Sequence, residues 1–158
     1  MKVILCGANG AMGKLIDNIL GQEIVGRVSL DGENNVPKTF AELGEISSDV
    51  IVDFSHHSCA PALSKYAAER GMALVMATTG HSDEELAAIY EAAKKVPVFM
   101  SANMSLGVAL LAELAAKTAA LFPDADIEII EKHHNRKLDA PSGTALAIAD
   151  AINAGNKE

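Results

Sequence analysis

The chain has 158 residues, which at roughly 150 residues per domain is one domain, or one domain and part of a second. Hydrophobic residues make up 49% and charged residues 22%, a balance that excludes a disordered chain, and charges and glycines interrupt the apolar segments too often for a membrane span. A formal charge of −8 opposes attraction to nucleic acid or anionic membranes; two cysteines make no disulfide framework, and the N-terminal apolar run is too short for a signal peptide. A soluble, cytoplasmic protein is expected, with neither nucleic acid nor membrane as partner.

In chain order, strand-length apolar runs lie from Lys2 to Cys6, Ile24 to Leu30, Val50 to Phe54, Ala73 to Met76 and Val96 to Met100. Helical patterns fall between and after them, from Ala11 to Leu20, Cys59 to Arg70, Ser82 to Lys95 and Ser105 to Leu121, with a capping box at Ser82 and Glu85. Runs such as Val50-Ile51-Val52, apolar on both faces, suit central parallel strands covered by helices. The expected fold is α/β, a Rossmann-like doubly wound parallel sheet over residues 1–124. After Phe122-Pro123-Asp124 the pattern pauses, and residues 125–158 read as the start of a second, α+β substrate-binding domain, with a strand from Ile127 to Glu131 and a helix from about Ser142 to Ala154. That is too little to bury a core alone.

Gly7-Ala8-Asn9-Gly10-Ala11-Met12-Gly13 follows the first strand directly and opens a helix, the context of a phosphate-binding turn. Gly7 would permit the turn, Gly10 would let a pyrophosphate approach the backbone, and Gly13 would let helix and strand pack closely. A tight turn without a ligand is the plainer alternative. Asp31, after the second strand, is a candidate for the adenosine ribose, although Asp31-Gly32 is also an ordinary turn; Arg27 and Lys38 nearby leave NADH against NADPH open.

In an open parallel sheet ligands sit beyond the carboxyl ends of the strands. Here those ends are small and polar: Asp53-Phe54-Ser55, Ala77-Thr78-Thr79-Gly80 and Ser101-Ala102-Asn103-Met104-Ser105, with Thr79 and Asn103 as handles for a nicotinamide and Ser82 and Ser105 as N-caps. Adjacent His56 and His57 lack a third ligand nearby, so a solvated loop is expected and no metal; Cys6 reads as core, and neither cysteine as a nucleophile.

The richest stretch runs from Glu131 to Ala145. His133, His134, Arg136 and Lys137 precede Pro141-Ser142-Gly143-Thr144, which starts a helix, so the segment can hold an anion and leave His133 or Lys137 to donate a proton. A solvated basic loop with an ordinary N-cap at Ser142 is the competing reading.

Together, the glycine loop, the three strand-end motifs and the His133-His134-x-x-Lys137-x-Asp139-x-Pro141-Ser142-Gly143-Thr144 run resemble the dihydrodipicolinate reductase (4-hydroxy-tetrahydrodipicolinate reductase) family, in order over nearly the whole chain. The resemblance implies NADPH- or NADH-dependent reduction of a cyclic dicarboxylate, 4-hydroxy-tetrahydrodipicolinate, in the diaminopimelate route to lysine. It implies cofactor contacts from Gly7, Ala8, Asn9, Gly10, Ala11 and Met12, from Ala77, Thr78 and Thr79, and from Ser101, Ala102, Asn103 and Met104. It also implies His133 and Lys137 as acids near the chemistry, with His134, Gly143 and Thr144 on the substrate carboxylates. Ala77 stands where the family usually has Gly, and family chains continue further and form homotetramers, so a fragment or truncated form is expected here. Two other readings stay open: a dinucleotide-binding module without catalysis, and a related reductase of another small dicarboxylate.

Overall fold

The computed structural model describes residues 1–135, 137 and 140–155. Arg136, Leu138 and Asp139 of the histidine-lysine segment lie outside the described residues, as do residues 156–158. The chain divides into two compact units, Met1–Ser101 and Ala102–Glu158.

The first unit alternates strand and helix as its apolar pattern requires. Its strands are β1 (Val3–Cys6), β2 (Ile24–Val28), β3 (Val50–Asp53), β4 (Ala73–Met76) and β5 (Val98–Met100), and its helices α1 (Ala11–Leu20), α2 (Ala60–Arg70) and α3 (Asp83–Ala93). All adjacent strands pair parallel, in the order β2-β1-β3-β4-β5, so the chain winds one way from β1 to β2 and the other way from β3 to β5. This is the expected Rossmann-like, doubly wound sheet, and its topological switch point lies between β1 and β3.

Alternation along β1 separates two cores. Val3 and Leu5 join Ile24 and Val50 on one face, where Ile16 and Leu20 of α1 pack. Ile4 and Cys6 join Ile51, Leu74 and Met76 on the other, under Leu63 and Ala67 of α2 and Ile89 of α3. The central strands are thus covered on both faces, as strands apolar on both sides demand, whereas the edge strand β5 leaves Phe99 and Met100 exposed. Helix ends follow local chemistry: Gly71 closes α2 in the left-handed conformation at φ 67, and Ser82 and Glu85 form the expected capping box at α3.

Strand register decides which loop residues leave the sheet side by side. Cys6 lies beside Asp53, Asp53 beside Met76, and Met76 beside Met100. The next residues, Gly7, Phe54, Ala77 and Ser101, therefore emerge together and form a crest along the carboxyl edge of the sheet.

The second unit contains α4 (Leu106–Leu121) and α5 (Gly143–Gly155), packed on each other. Gly155 sits against Ala116, where a Cβ would lie 3.5 Å from that of the alanine, so small residues allow the close approach. Two expectations change here. The division falls after Ser101 and not after residue 124, because α4 finds its packing partner in α5. The strand expected from Ile127 to Glu131 is not formed: among the described residues no ladder accompanies it, and apolar composition without a neighbouring edge does not make a strand.

Candidate functional site

At the switch point Gly7 turns with φ 78, and a Cβ there would meet the Phe54 carbonyl oxygen at 2.5 Å. Gly13 is equally constrained, since its Cβ would lie 2.0 Å from the Gly7 carbonyl oxygen. Gly10 differs. It is exposed at the N-cap of α1 with an ordinary φ of −69, and a Cβ would meet only the Gly7 oxygen, at 3.2 Å. The chain's own packing thus demands glycine at Gly7 and Gly13 and crowds a side chain only mildly at Gly10, which is exposed at a helix N-terminus, the place where a pyrophosphate fits.

Asp31 is drawn to this loop. Its Oδ1 accepts from Asn9 Nδ2 at 2.6 Å and from the Glu33 N–H at 3.1 Å, closing the turn at Gly32. The bond from Asn9, helped by that N–H, holds the Asp31 carboxyl below its usual range. Turn residue and loop partner are therefore combined in one side chain. Arg27 is committed to Asp17, with Nε donating at 3.0 Å, whereas Lys38 lines a cavity of about 460 Å³ with Ser29 and Leu30 beyond β2 and Gly7 beyond β1.

Further along the crest, Thr78 is buried and Thr79 exposed, followed by Gly80 at φ 80. Ser101 N–H donates to the Met76 carbonyl at 3.1 Å, tying the β5 exit to that of β4. Beneath them lies Asp53, fully buried, a residue the strand-end motif contains but to which sequence reasoning assigns no task. Its Oδ1 accepts from Ser55 N–H at 3.0 Å and from the Ser55 hydroxyl, and its Oδ2 from Thr78 Oγ1 at 3.3 Å. Burial pushes its carboxyl above the ordinary range, against these bonds. A carboxylate closing an otherwise apolar strand is a legible signal, because buried charge requires partners.

The histidine pair is more than a solvated loop. His57 Nδ1 meets Glu85 Oε2 at 2.8 Å, His56 Nδ1 meets the Ser58 hydroxyl at 2.9 Å, and the two rings lie 4.0 Å apart. Both imidazoles thus have partners within the unit. Cys6 is core as expected, its thiol pushed up by burial.

In the second unit, Ser142 caps α5 through its hydroxyl, which accepts from Ala145 N–H at 3.1 Å. Glu131 in turn accepts from Ser142 N–H at 2.8 Å and from the Ser142 hydroxyl, and His133 Nδ1 lies 3.7 Å from the same carboxylate. The Ser142 hydroxyl, then its N–H, holds Glu131 below the usual range. Lys137 N–H donates to the His134 carbonyl at 3.2 Å, which turns the segment back on itself. Asn103 Nδ2 donates to Thr144 Oγ1 at 2.8 Å, while its Oδ1 accepts from Ser105 N–H. Asn103, expected at the cofactor, and Thr144, expected at the substrate, are therefore direct neighbours. Asn103, Glu131, His133, Ser142 and Thr144 line one cavity of about 590 Å³. Ala102, Met104 and His134 are exposed and Gly143 is half-buried. Glu131 carried no legible signal, because its partner is eleven residues away across an irregular segment.

Two family models cover the chain: dihydrodipicolinate reductase, N-terminus, over residues 1–104, and dihydrodipicolinate reductase, C-terminus, over residues 107–158. The 4-hydroxy-tetrahydrodipicolinate reductase of Caldanaerobacter subterraneus subsp. tengcongensis is 46% identical over 97% of this chain and 63% of its own length. That of Methanocorpusculum labreanum is 41% identical over 96% of this chain and 65% of its own. A dipicolinate-bound dihydrodipicolinate reductase from Paenisporosarcina sp. TG-14 superposes with a TM-score of 0.73 at 26% identity, covering 99% of this chain and 66% of that one. The chain thus spans somewhat under two thirds of the length of these relatives. Glycine loop, sheet order and matched family models agree: the chain belongs to the dihydrodipicolinate reductase family.

Proposed function

We propose that the chain takes part in the NAD(P)H-dependent reduction of 4-hydroxy-tetrahydrodipicolinate to tetrahydrodipicolinate, on the diaminopimelate route to lysine. The observation that carries this reading is the exposed Gly10 cradle at the switch point, where internal packing constrains a side chain far less than at Gly7 or Gly13. Bound there, NADPH or NADH supplies a hydride from the nicotinamide C4. Gly7, Ala8, Asn9, Gly10, Ala11 and Met12 receive its pyrophosphate, and Asp31 and Lys38 flank its adenosine end. Ala77, Thr78, Thr79, Ser101, Ala102, Asn103 and Met104 hold the nicotinamide.

His133 and Lys137 supply the proton that accompanies hydride addition, and the substrate loses its 4-hydroxyl as water. Glu131 Oε2 lies 3.7 Å from His133 Nδ1 and keeps the ring beside the start of α5. His134, Gly143 and Thr144 bind the two carboxylates, the latter two from the N-terminal turn of α5, whose dipole favours anions. Among the described residues no helix is long and apolar enough to cross a membrane, which accords with a cytoplasmic biosynthetic enzyme. Full-length members of the family work as homotetramers in this reading.

The test is consumption of NADPH and of NADH by the purified chain, with the substrate generated in situ by the preceding synthase. Turnover is expected. Cofactor binding without turnover would reduce the chain to a dinucleotide-binding module, and turnover only with another member of a dicarboxylate panel would replace the substrate.

A further inference from the structure

The crest contains one buried acid to which neither the glycine loop nor the proton donors assign a task. Asp53 is fully buried, yet its carboxylate touches two of the loops that leave the sheet, and the residue after it touches a third. Its neighbour Phe54 meets Gly7, its Oδ1 takes both donors of Ser55, and its Oδ2 faces the Thr78 hydroxyl at 3.3 Å. Thr78, itself buried, lies 3.0 Å from His81 Nε2. His81 precedes the capping box of α3, so the chain Asp53–Thr78–His81 ties the end of β3 to both ends of the turn from Thr78 to His81 that leads from β4 to α3.

A threonine hydroxyl has one proton to give, and an ionised carboxylate can only accept. With Asp53 charged, the Thr78 proton must point to Asp53, which leaves a lone pair towards His81 and requires His81 to carry its proton on Nε2. We propose that Asp53 is the positioning residue of the crest: its carboxylate sets the direction of the chain His81 Nε2–H to Thr78 Oγ1–H to Asp53 Oδ2, and thereby holds Ala77-Thr78-Thr79 in its working conformation.

Asp53→Asn tests this with little change of shape. Both Ser55 donors fall on Oδ1, so the oxygen of the substituted amide must stay there and its NH2 must face Thr78. Thr78 then accepts from the amide and donates to His81, which reverses the chain and moves the His81 proton to Nδ1.

Ring-nitrogen NMR of the 15N-labelled chain at about pH 8, where imidazole is neutral, reads the tautomer directly, with the His81 signals assigned by their loss in His81→Gln. The expected result is Nε2–H in the wild type and Nδ1–H in Asp53→Asn. Thr78→Ser should keep the Nε2–H form, and Thr78→Val should abolish the bias. Nδ1–H in the wild type, or an unchanged tautomer in Asp53→Asn, overturns the proposal; if Asp53→Asn does not fold, the wild type and the Thr78 pair decide.

The consequence for binding rests on the dinucleotide reading proposed for the glycine loop. NADPH affinity should fall about 3- to 10-fold in Asp53→Asn and Thr78→Val and recover in Thr78→Ser, the range expected for one displaced hydrogen-bonded contact. Undiminished affinity in both variants overturns the positioning role. A wild type that shows the expected tautomer but binds no NADPH overturns the dinucleotide reading and leaves the hydrogen-bond chain standing.

Discussion

The crest of the first unit and the segment 131–144 of the second solve the problem of presenting polar groups in different ways. The crest is backbone and glycine, aligned by strand register, with one buried carboxylate beneath it. The segment has no ladder among the described residues; its order comes from side chains, Glu131 on Ser142 and Asn103 on Thr144. A sheet edge is over-determined by the strands behind it, so a single side chain there can change chemistry without dissolving the scaffold. An irregular segment depends on each hydrogen bond it makes.

The largest expected effect sharpens this contrast at the proton donors. Lys137→Ala and His133→Ala should each slow turnover by about 100- to 10,000-fold while NADPH affinity stays within a few-fold, because a lost general acid acts in the transition state. Stopped-flow turnover beside fluorescence titration separates the two quantities, and undiminished turnover would remove that residue from the chemistry.

Next come the glycines, which probe the crest from opposite sides. Gly13→Ala forces a Cβ to 2.0 Å from a backbone oxygen and should cost about 3 kcal/mol of stability, read as a lower urea midpoint. Gly10→Val should lower that midpoint less, at a cost of about 1 kcal/mol for a β-branched residue at the N-cap, yet abolish NADPH binding, because its side chain fills the space a pyrophosphate needs. Equal effects of the two substitutions on stability would break the distinction between packing glycine and cradle glycine. In the second unit, Ser142→Ala should cost about 1 kcal/mol through the lost N-cap. It should lower turnover as well, because the segment around His133 loses the bond to Glu131.

The smallest effects are electrostatic and of opposite sign in the two regions. Asp53 has a folded pKa above its ordinary value of 3.8, so the native state binds this proton more readily than the unfolded chain does. Its contribution is fully present below that value and is lost as the pH rises through the raised one. Glu131 has a folded pKa below its ordinary 4.5, so its contribution is present above that value and is lost as the pH falls through the lowered one. Urea midpoints taken from about pH 3 to 7 should therefore show a shallower acid loss in Glu131→Gln and a steeper one in Asp53→Asn. The same change of slope in both variants would contradict the opposed environments.

Much of the first unit is legible in the amino-acid pattern. Continuous apolar runs located the five strands, and period-3.6 patterning the helices, to within about two residues, because burial on both faces of a parallel sheet removes alternation. The glycine spacing marked the switch point, and the run from His133 to Thr144 marked the second polar centre. The Ile127–Glu131 segment misled for a physical reason: its composition suits a strand, but a strand exists only with a partner edge.

What the sequence determined by itself is therefore the local inventory: which runs are apolar on which side, where turns need glycine, and where proton donors and a helix start lie together. Tertiary structure alone decided which of those residues meet. It set Asp31 on Asn9, committed Arg27 to Asp17, and joined Asp53 through Thr78 to His81, across 25 residues and then 3. Such pairings depend on strand register and on the direction of each loop exit, long-range quantities that no local spacing encodes.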